Sequence, residues 1–251
     1  DFVSGKESRL LNPTGSRILA DLTNLGMTDR AIAVRGTNGD EFIVNGGEIR
    51  GDVELLDGDD RITLNSTYVQ SGGTVYGGNG NDEVILGFTS GGTVGEFDYA
   101  DFDGFEVIVI DGRDTSLSST TGWTIRNGAM FTGITSIRPE GRLVVPADGM
   151  GVTQAVSIGG DLTIDPTGSI LLTPDGVTTP LTIAGNTTFD GELIVDGSAL
   201  NRNTPSVSRL IQVDGTLTAS TFAVESFTSI GIFTLSTRYD ANGVDLLAQL
   251  G

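Results

Sequence analysis

Apolar residues along this chain come in short groups that alternate with polar ones, and the groups recur. Three segments superimpose: NGDEFIV (Asn38 to Val44), GDDRITL (Gly58 to Leu64) and GNDEVIL (Gly80 to Leu86). Each places an Asp third and apolar residues fifth and seventh, so that Asp40, Asp60 and Asp82 are corresponding positions. A looser fourth copy, EVIVI from Glu106, aligns Val107 and Val109 with Val84 and Leu86. A second strand pattern lies upstream of each later copy: Ile49 and Val53, then Val69 and Val75, then Val94 and Phe97. Alternation with a period of two marks a strand with one face inward. Two or three such strands in every ~20 residues predict an all-β solenoid, in which each repeat covers the apolar edge of the one before.

The second half repeats in a related form. VSIGGDLTI (Val156 to Ile164), LTIAGNTTF (Leu181 to Phe189) and IQVDGTLTA (Ile211 to Ala219) share two spaced apolar residues, a glycine, and then Asp, Asn or Thr. Gly160, Gly185 and Gly215 read as tight corners with positive φ. Rungs of about 20–25 residues stacked ~4.8 Å apart would give ten to twelve turns and a rod ~50 Å long. All seven prolines fall outside the best strand cores, as strand hydrogen bonding requires. The one helical spacing is SRILADLTNLG, Ser16 to Gly26, where Ile18, Leu19, Leu22 and Leu25 could line a short capping helix.

Composition narrows the chemistry. The 251 residues include 37 glycines, no Cys and no His. The absence of both residues removes Ser-His-Asp triads, Cys-His pairs, ordinary zinc sites and any disulfide framework. A net charge of −19 disfavours nucleic acid and anionic lipid as partners. No run is apolar enough to span a bilayer as a helix. The opening DFVSGKESRL carries neither an initiator Met nor a signal sequence and reads as a processed piece.

Three groups of residues are candidates for a site. Gly77 to Ile85 fits the calcium-binding nonapeptide G-G-x-G-x-D-x-U-x, which makes Asp60 and Asp82 the calcium candidates. The related copies are about 20 residues apart instead of nine, and Leu55 and Leu56 replace the first two glycines in one of them. The segment therefore reads first as a structural corner, with Asp40, Asp60 and Asp82 bonded to amides of their own turns. The acidic clusters Asp57 to Asp60 and Phe97 to Phe105 could offer paired carboxylates for glycoside chemistry, although Arg61 is the only basic residue beside them. Tyr99, Phe102 and Trp123 are the candidate ligand-binding aromatics. Alternation through DYADFDGF places one set of rings outward, while Trp123 also fits a core position.

FDGFEVIVIDG (Phe102 to Gly112), TGWTIRNG (Thr121 to Gly128), the GGDLTI-type repeats and the closing FTLSTRYDANGVDLLAQ (Phe233 to Gln249) resemble the passenger domains of bacterial autotransporters. The resemblance implies a pertactin-like, right-handed parallel β-helix on the surface of a Gram-negative bacterium, or secreted from it. It divides the chain into a passenger segment, 1–148, and autochaperone-like rungs, 149–251, that template folding during secretion. On this reading the protein is a non-enzymatic, monomeric adhesin or stalk without a cofactor, whose partner is a host-cell or matrix protein or glycan. A calcium-dependent solenoid and a polysaccharide-acting β-helix enzyme are the alternatives.

Overall fold

The computed structural model describes residues 8–19, 31–87, 94–112, 121–201, 203–218, 221–228, 231 and 233–250. The chain is all-β, and long parallel sheets dominate it. The largest sheet has nine strands, each paired in parallel with its counterpart one repeat along. In chain order its strands begin with Ser8–Asn12, Glu41–Asn45, Arg61–Leu64, Glu83–Leu86 and Val107–Ile110. Ile134–Ile137, Asp161–Ile164, Thr187–Thr188 and Leu217–Thr218 complete it. Nine strands span ~38 Å, somewhat shorter than the expected rod. Among the described residues the strands form five sheets, none of which closes on itself.

Register explains the core. Down the long sheet one inward column runs Ile43, Ile62, Val84, Ile108, Thr135, Leu162, Thr187. A second column runs Asn12, Asn45, Leu64, Leu86, Ile110, Ile137, Ile164. The step between partners is 33 residues from Leu10 to Ile43, 19 from Ile43 to Ile62, and between 22 and 30 in the later repeats. The strands of this sheet are only two to five residues long, so the connections take up the difference. The register also corrects two alignments read from the sequence. Ile43, not Phe42, pairs with Ile62, and Ile108 and Ile110, not Val107 and Val109, continue Val84 and Leu86.

Most repeats contribute strands to two further faces, while among the described residues the one from Val107 contributes only Gly122–Arg126. Arg17–Leu19, Glu48–Arg50 and Val69–Ser71 form a three-stranded parallel sheet, and a six-stranded parallel sheet runs from Val94–Asp98 to Val224–Thr228. A four-stranded sheet links Ile32–Arg35 to Phe102–Asp103, and Val156–Ile158 opens a five-stranded one. Arg17–Leu19 is a strand where the helical spacing pointed to a helix. Its Ile18 pairs with Ile49, so neighbouring repeats override local propensity. Residues 20–26 of that expected helix lie outside the described residues.

One continuous apolar cluster runs from Val34 to Ala248. Both long sheets cross the 148/149 boundary: Ile134–Ile137 pairs with Asp161–Ile164, and Arg142–Val145 pairs with Ser169–Leu172. The final element differs from the rest. Phe233–Asp240 and Gly243–Leu250 form an antiparallel hairpin, and the second strand pairs antiparallel with Val207–Val213. Arg209 grips Asp240 through two nitrogens, at 3.1 and 2.8 Å, and reaches Asp245 at 3.2 Å. Tyr239 donates a short hydrogen bond to Glu225, which also accepts from the Thr237 hydroxyl at 2.6 Å. The last parallel strand of the six-stranded sheet is thereby tied to the hairpin.

Candidate functional site

The corner between the third face and the long sheet carries the glycine motif and most of the unusual chemistry. A Cβ on Gly78 would stand 1.7 Å from the carbonyl oxygen of Leu56, and one on Gly80 would stand 1.7 Å from that of Gly58. Both glycines also have positive φ, at +112° and +153°. Successive corners thus stack backbone on backbone, and only glycine leaves room. The second half uses the same contact without the special dihedral. Gly160, Gly185 and Gly215 stack in one column, where a Cβ on Gly185 would sit 2.4 Å from the carbonyl carbon of Gly160. None of these three has positive φ. Close approach selects them, not the turn conformation expected from the sequence.

Beside the glycines run hydrogen-bonded rows of side chains. The backbone N–H of Glu41 donates to Asp60 Oδ1 at 2.7 Å, that of Asp60 to Asp82 Oδ1 at 2.8 Å, and that of Asp82 to Glu106 Oε2 at 2.7 Å. A parallel outer row runs in the opposite sense: Asp59 N–H donates to Asp40 Oδ1 at 3.0 Å, and Asn81 N–H to Asp59 Oδ1 at 2.9 Å. Asp161, Asn186 and Thr216 repeat the outer arrangement in the second half, at 2.7 and 3.0 Å. The carboxylates therefore tie each repeat to its neighbour, where bonds to their own turns were expected. Asp40, aligned by sequence with Asp60 and Asp82, belongs to the outer row, and Glu41 takes its place in the inner one. Glu41 and Glu106 escaped the sequence reading because the copies slip by one residue there. An acidic residue at or just before the start of the four strands from Glu41, Arg61, Glu83 and Val107 was the available signal.

Three members of the inner row are buried, while Glu106 at its end is exposed. Glu41, Asp60 and Asp82 are each no more than 1% exposed. Glu41 Oε1 accepts from the Thr37 hydroxyl at 2.8 Å, but Glu41 Oε2, Asp60 Oδ2 and Asp82 Oδ2 have no hydrogen-bond partner. Burial, then the neighbouring carboxylates of Asp82, Glu41 and Asp40, push the Asp60 carboxyl up to about 7, against the opposing bond from the Glu41 amide. Burial, with Glu106 and Asp59, pushes Asp82 up to about 6, again against its amide bond. Among the described residues no group of three or more acidic side chains converges as metal ligands would. Asp60 and Asp82 stand in a row, each facing backbone.

The exposed side of this corner is a depression of about 380 Å³ lined in part by Asp40, Asp59, Asp60, Asn81 and Glu83. Arg61, the basic residue there, bonds Glu83 Oε2 at 2.6 Å and lies 5.8 Å from the centre of the Phe42 ring. Glu83 also receives Arg138 at 2.9 Å.

The aromatic candidates separate. Trp123 is fully buried, donates from Nε1 to the Gly87 carbonyl at 2.7 Å, and packs under Gly95, where a Cβ would meet its ring at 2.6 Å. Phe102 is buried between Phe97 and Phe105, with ring centres 4.8 and 5.8 Å away. Rings enclosed in this way offer no face to a ligand. Phe97, Phe102 and Phe105 all point inward because a one-turn 3₁₀ helix, Tyr99–Asp101, interrupts the strand and resets its alternation. Tyr99 alone is half-exposed, 5.0 Å from the ring of Phe131. Among the described residues no helix is long and apolar enough to cross a membrane.

Comparison of the chain with protein-family models, with curated proteins and with solved structures gives no match.

Proposed function

We infer that the chain is a right-handed parallel β-helix and serves as a non-enzymatic passenger segment of a bacterial autotransporter, a surface-exposed or secreted stalk or adhesin. The observation that carries this reading is the pairing of equivalent strands from successive repeats on three faces, ended by an antiparallel hairpin. Such a body needs only its neighbouring repeat to fold, so it can assemble strand by strand from one end as a chain emerges through a membrane. The hairpin covers an edge that would otherwise template pairing with another chain, and it offers a finished surface on which earlier repeats can stack. A strongly acidic surface without Cys suits a chain that must stay unfolded and unlinked before release. The partner would be a host-cell or matrix protein or glycan, bound by a monomer at the variable connections.

The test is surface display. The chain is placed between a secretion signal and an outer-membrane barrel, and its accessibility to external protease is followed. The intact chain is expected to reach the surface as a protease-resistant body. A variant with Arg209→Ala and Tyr239→Phe, which loosens the hairpin, is expected to appear there several-fold less or in a protease-sensitive form. Equal display and resistance of both would remove the folding role assigned to the hairpin, and failure of the intact chain to reach the surface would remove the passenger assignment.

A further inference from the structure

The buried row at the glycine corner has a property that neither a stalk nor an adhesin requires. An ionised carboxylate withdrawn from water needs donors to both oxygens or a cation beside it. Asp60 and Asp82 each receive one amide on Oδ1, and their Oδ2 atoms are buried with no partner. The charged groups acting on Asp60 are Asp82, Glu41 and Asp40, and those acting on Asp82 are Glu106 and Asp59, all acidic. On the flanking strands Arg61 is bound to Glu83 and Arg35 to Glu54, while Tyr76 and Asp103 bring no positive charge.

Beside two of the orphaned oxygens, those of Asp82 and Glu41, stand further acceptors. A point at the Cβ position of Gly77 is 2.6 Å from Asp82 Oδ2 and 2.2 Å from the Gly104 carbonyl oxygen. The same point on Gly36 is 2.6 Å from Glu41 Oε2 and 2.4 Å from the Leu55 carbonyl oxygen. Each of these two carboxyl oxygens thus shares one glycine's surface with a backbone carbonyl and has no donor of its own. Calcium would satisfy such oxygens only with six or more of them around one point at ~2.3–2.6 Å, and the acidic side chains here do not converge. A proton needs no such convergence.

We propose that the row is a proton-binding clasp: the folded chain holds protons on Asp60 and Asp82, and their loss loosens the stacking of the repeats at this corner. Each carboxyl keeps its amide bond on Oδ1 and turns Oδ2 from an orphaned acceptor into a hydroxyl donor. Proton release leaves two anions in one buried row of like charge. The N-terminal half of the molecule is therefore more firmly held in mildly acidic surroundings than in alkaline ones. This inference stands independently of the surface-passenger reading.

The experiment uses the full chain. Asp side-chain carboxyl carbons are labelled and titrated by NMR, and urea unfolding midpoints are measured across the same range. Two Asp resonances are expected to titrate at about 6 and about 7, assigned by their loss in Asp60→Asn and Asp82→Asn. The unfolding equilibrium constant of the native chain is expected to rise up to about tenfold per pH unit for each proton released. The two Asn variants keep the acceptor and supply an N–H₂ donor, so they should flatten this slope and match or exceed the native midpoint at alkaline pH. If all Asp carbons titrate near the ordinary value of ~3.9, the clasp is overturned, whether or not the variants fold. It is equally overturned if millimolar calcium raises the native midpoint and Asp82→Asn abolishes the rise, because a cation would then hold the row.

Discussion

Gly78 and Gly185 face the same steric limit by different routes, and the two routes separate experimentally. Gly78 combines φ of +112° with a virtual Cβ 1.7 Å from the Leu56 carbonyl, so Gly78→Ala must both strain its own backbone and push the preceding corner away. The expected loss exceeds about 2 kcal/mol by urea denaturation. Gly185→Ala meets only the neighbouring backbone and should also destabilise, although an alanine fits its dihedral. Gly149→Ala has open space and no positive φ, and should change stability by less than about 0.5 kcal/mol. The sequence made these glycines visible as corners but assigned the wrong cause to the second set. Nothing in a single chain distinguishes a residue chosen for its φ from one chosen because another backbone passes within van der Waals distance. The acidic row was half visible for a related reason. Asp60 and Asp82 align by eye, while Glu41 and Glu106 reach the same row with one more methylene from a shifted position.

Among the elements, the inward columns of the long sheet show where the pattern was legible and where it failed. Ile62 was placed correctly because Arg61 and Thr63 flank it, and Val84 and Leu86 because their segment aligns with that of Ile62 and Leu64 residue by residue. Val107 to Ile110 is apolar at every position, so alternation could not say which side faces the core, and a one-residue slip exchanged the two faces. The same columns contain two oddities. Thr135 lies between Ile108 and Leu162, and Thr187 lies between Leu162 and Leu217, with both hydroxyls buried and unpartnered. Replacing an unsatisfied buried hydroxyl by a methyl of similar shape removes a desolvation penalty. Thr135→Val is therefore expected to stabilise the protein by about 1 kcal/mol, read as a higher urea midpoint with an unchanged denaturant slope. A loss of stability instead would mean that the hydroxyl has a partner in solution.

For the whole molecule, two sets of carboxyls act on stability in opposite directions along the pH scale. Asp60 and Asp82 hold their protons more tightly folded than unfolded, so their contribution is complete below the ordinary carboxylate range and is lost as pH rises through about 6 and 7. Asp175 shifts the other way. Its burial opposes ionisation, but bonds from the Val177 and Thr178 amides, the Thr178 hydroxyl and the Thr153 amide outweigh that and lower its pKa. Asp240 is lowered chiefly by Arg209. Their contribution is present above the ordinary range and is lost as pH falls through their depressed values. Urea midpoints should therefore pass through a maximum near the ordinary carboxylate value, at about pH 4, with the alkaline limb removed by Asp60→Asn and Asp82→Asn and the acid limb reduced by Asp175→Asn. A midpoint that climbs steadily to pH ~8 would contradict this balance.

The glycine stack also decides where the molecule has freedom to change. Along that edge, one chain passes over the next too closely to admit even a methyl group, so inserted residues have nowhere to go. Among the described residues long connections lie elsewhere, between Val145 and Val156, between Leu172 and Leu181, and between Asp196 and Val207. One side of the body is thus a spine of nearly fixed design. New contacts would arise at those connections, where loops can lengthen without disturbing the stacked strands.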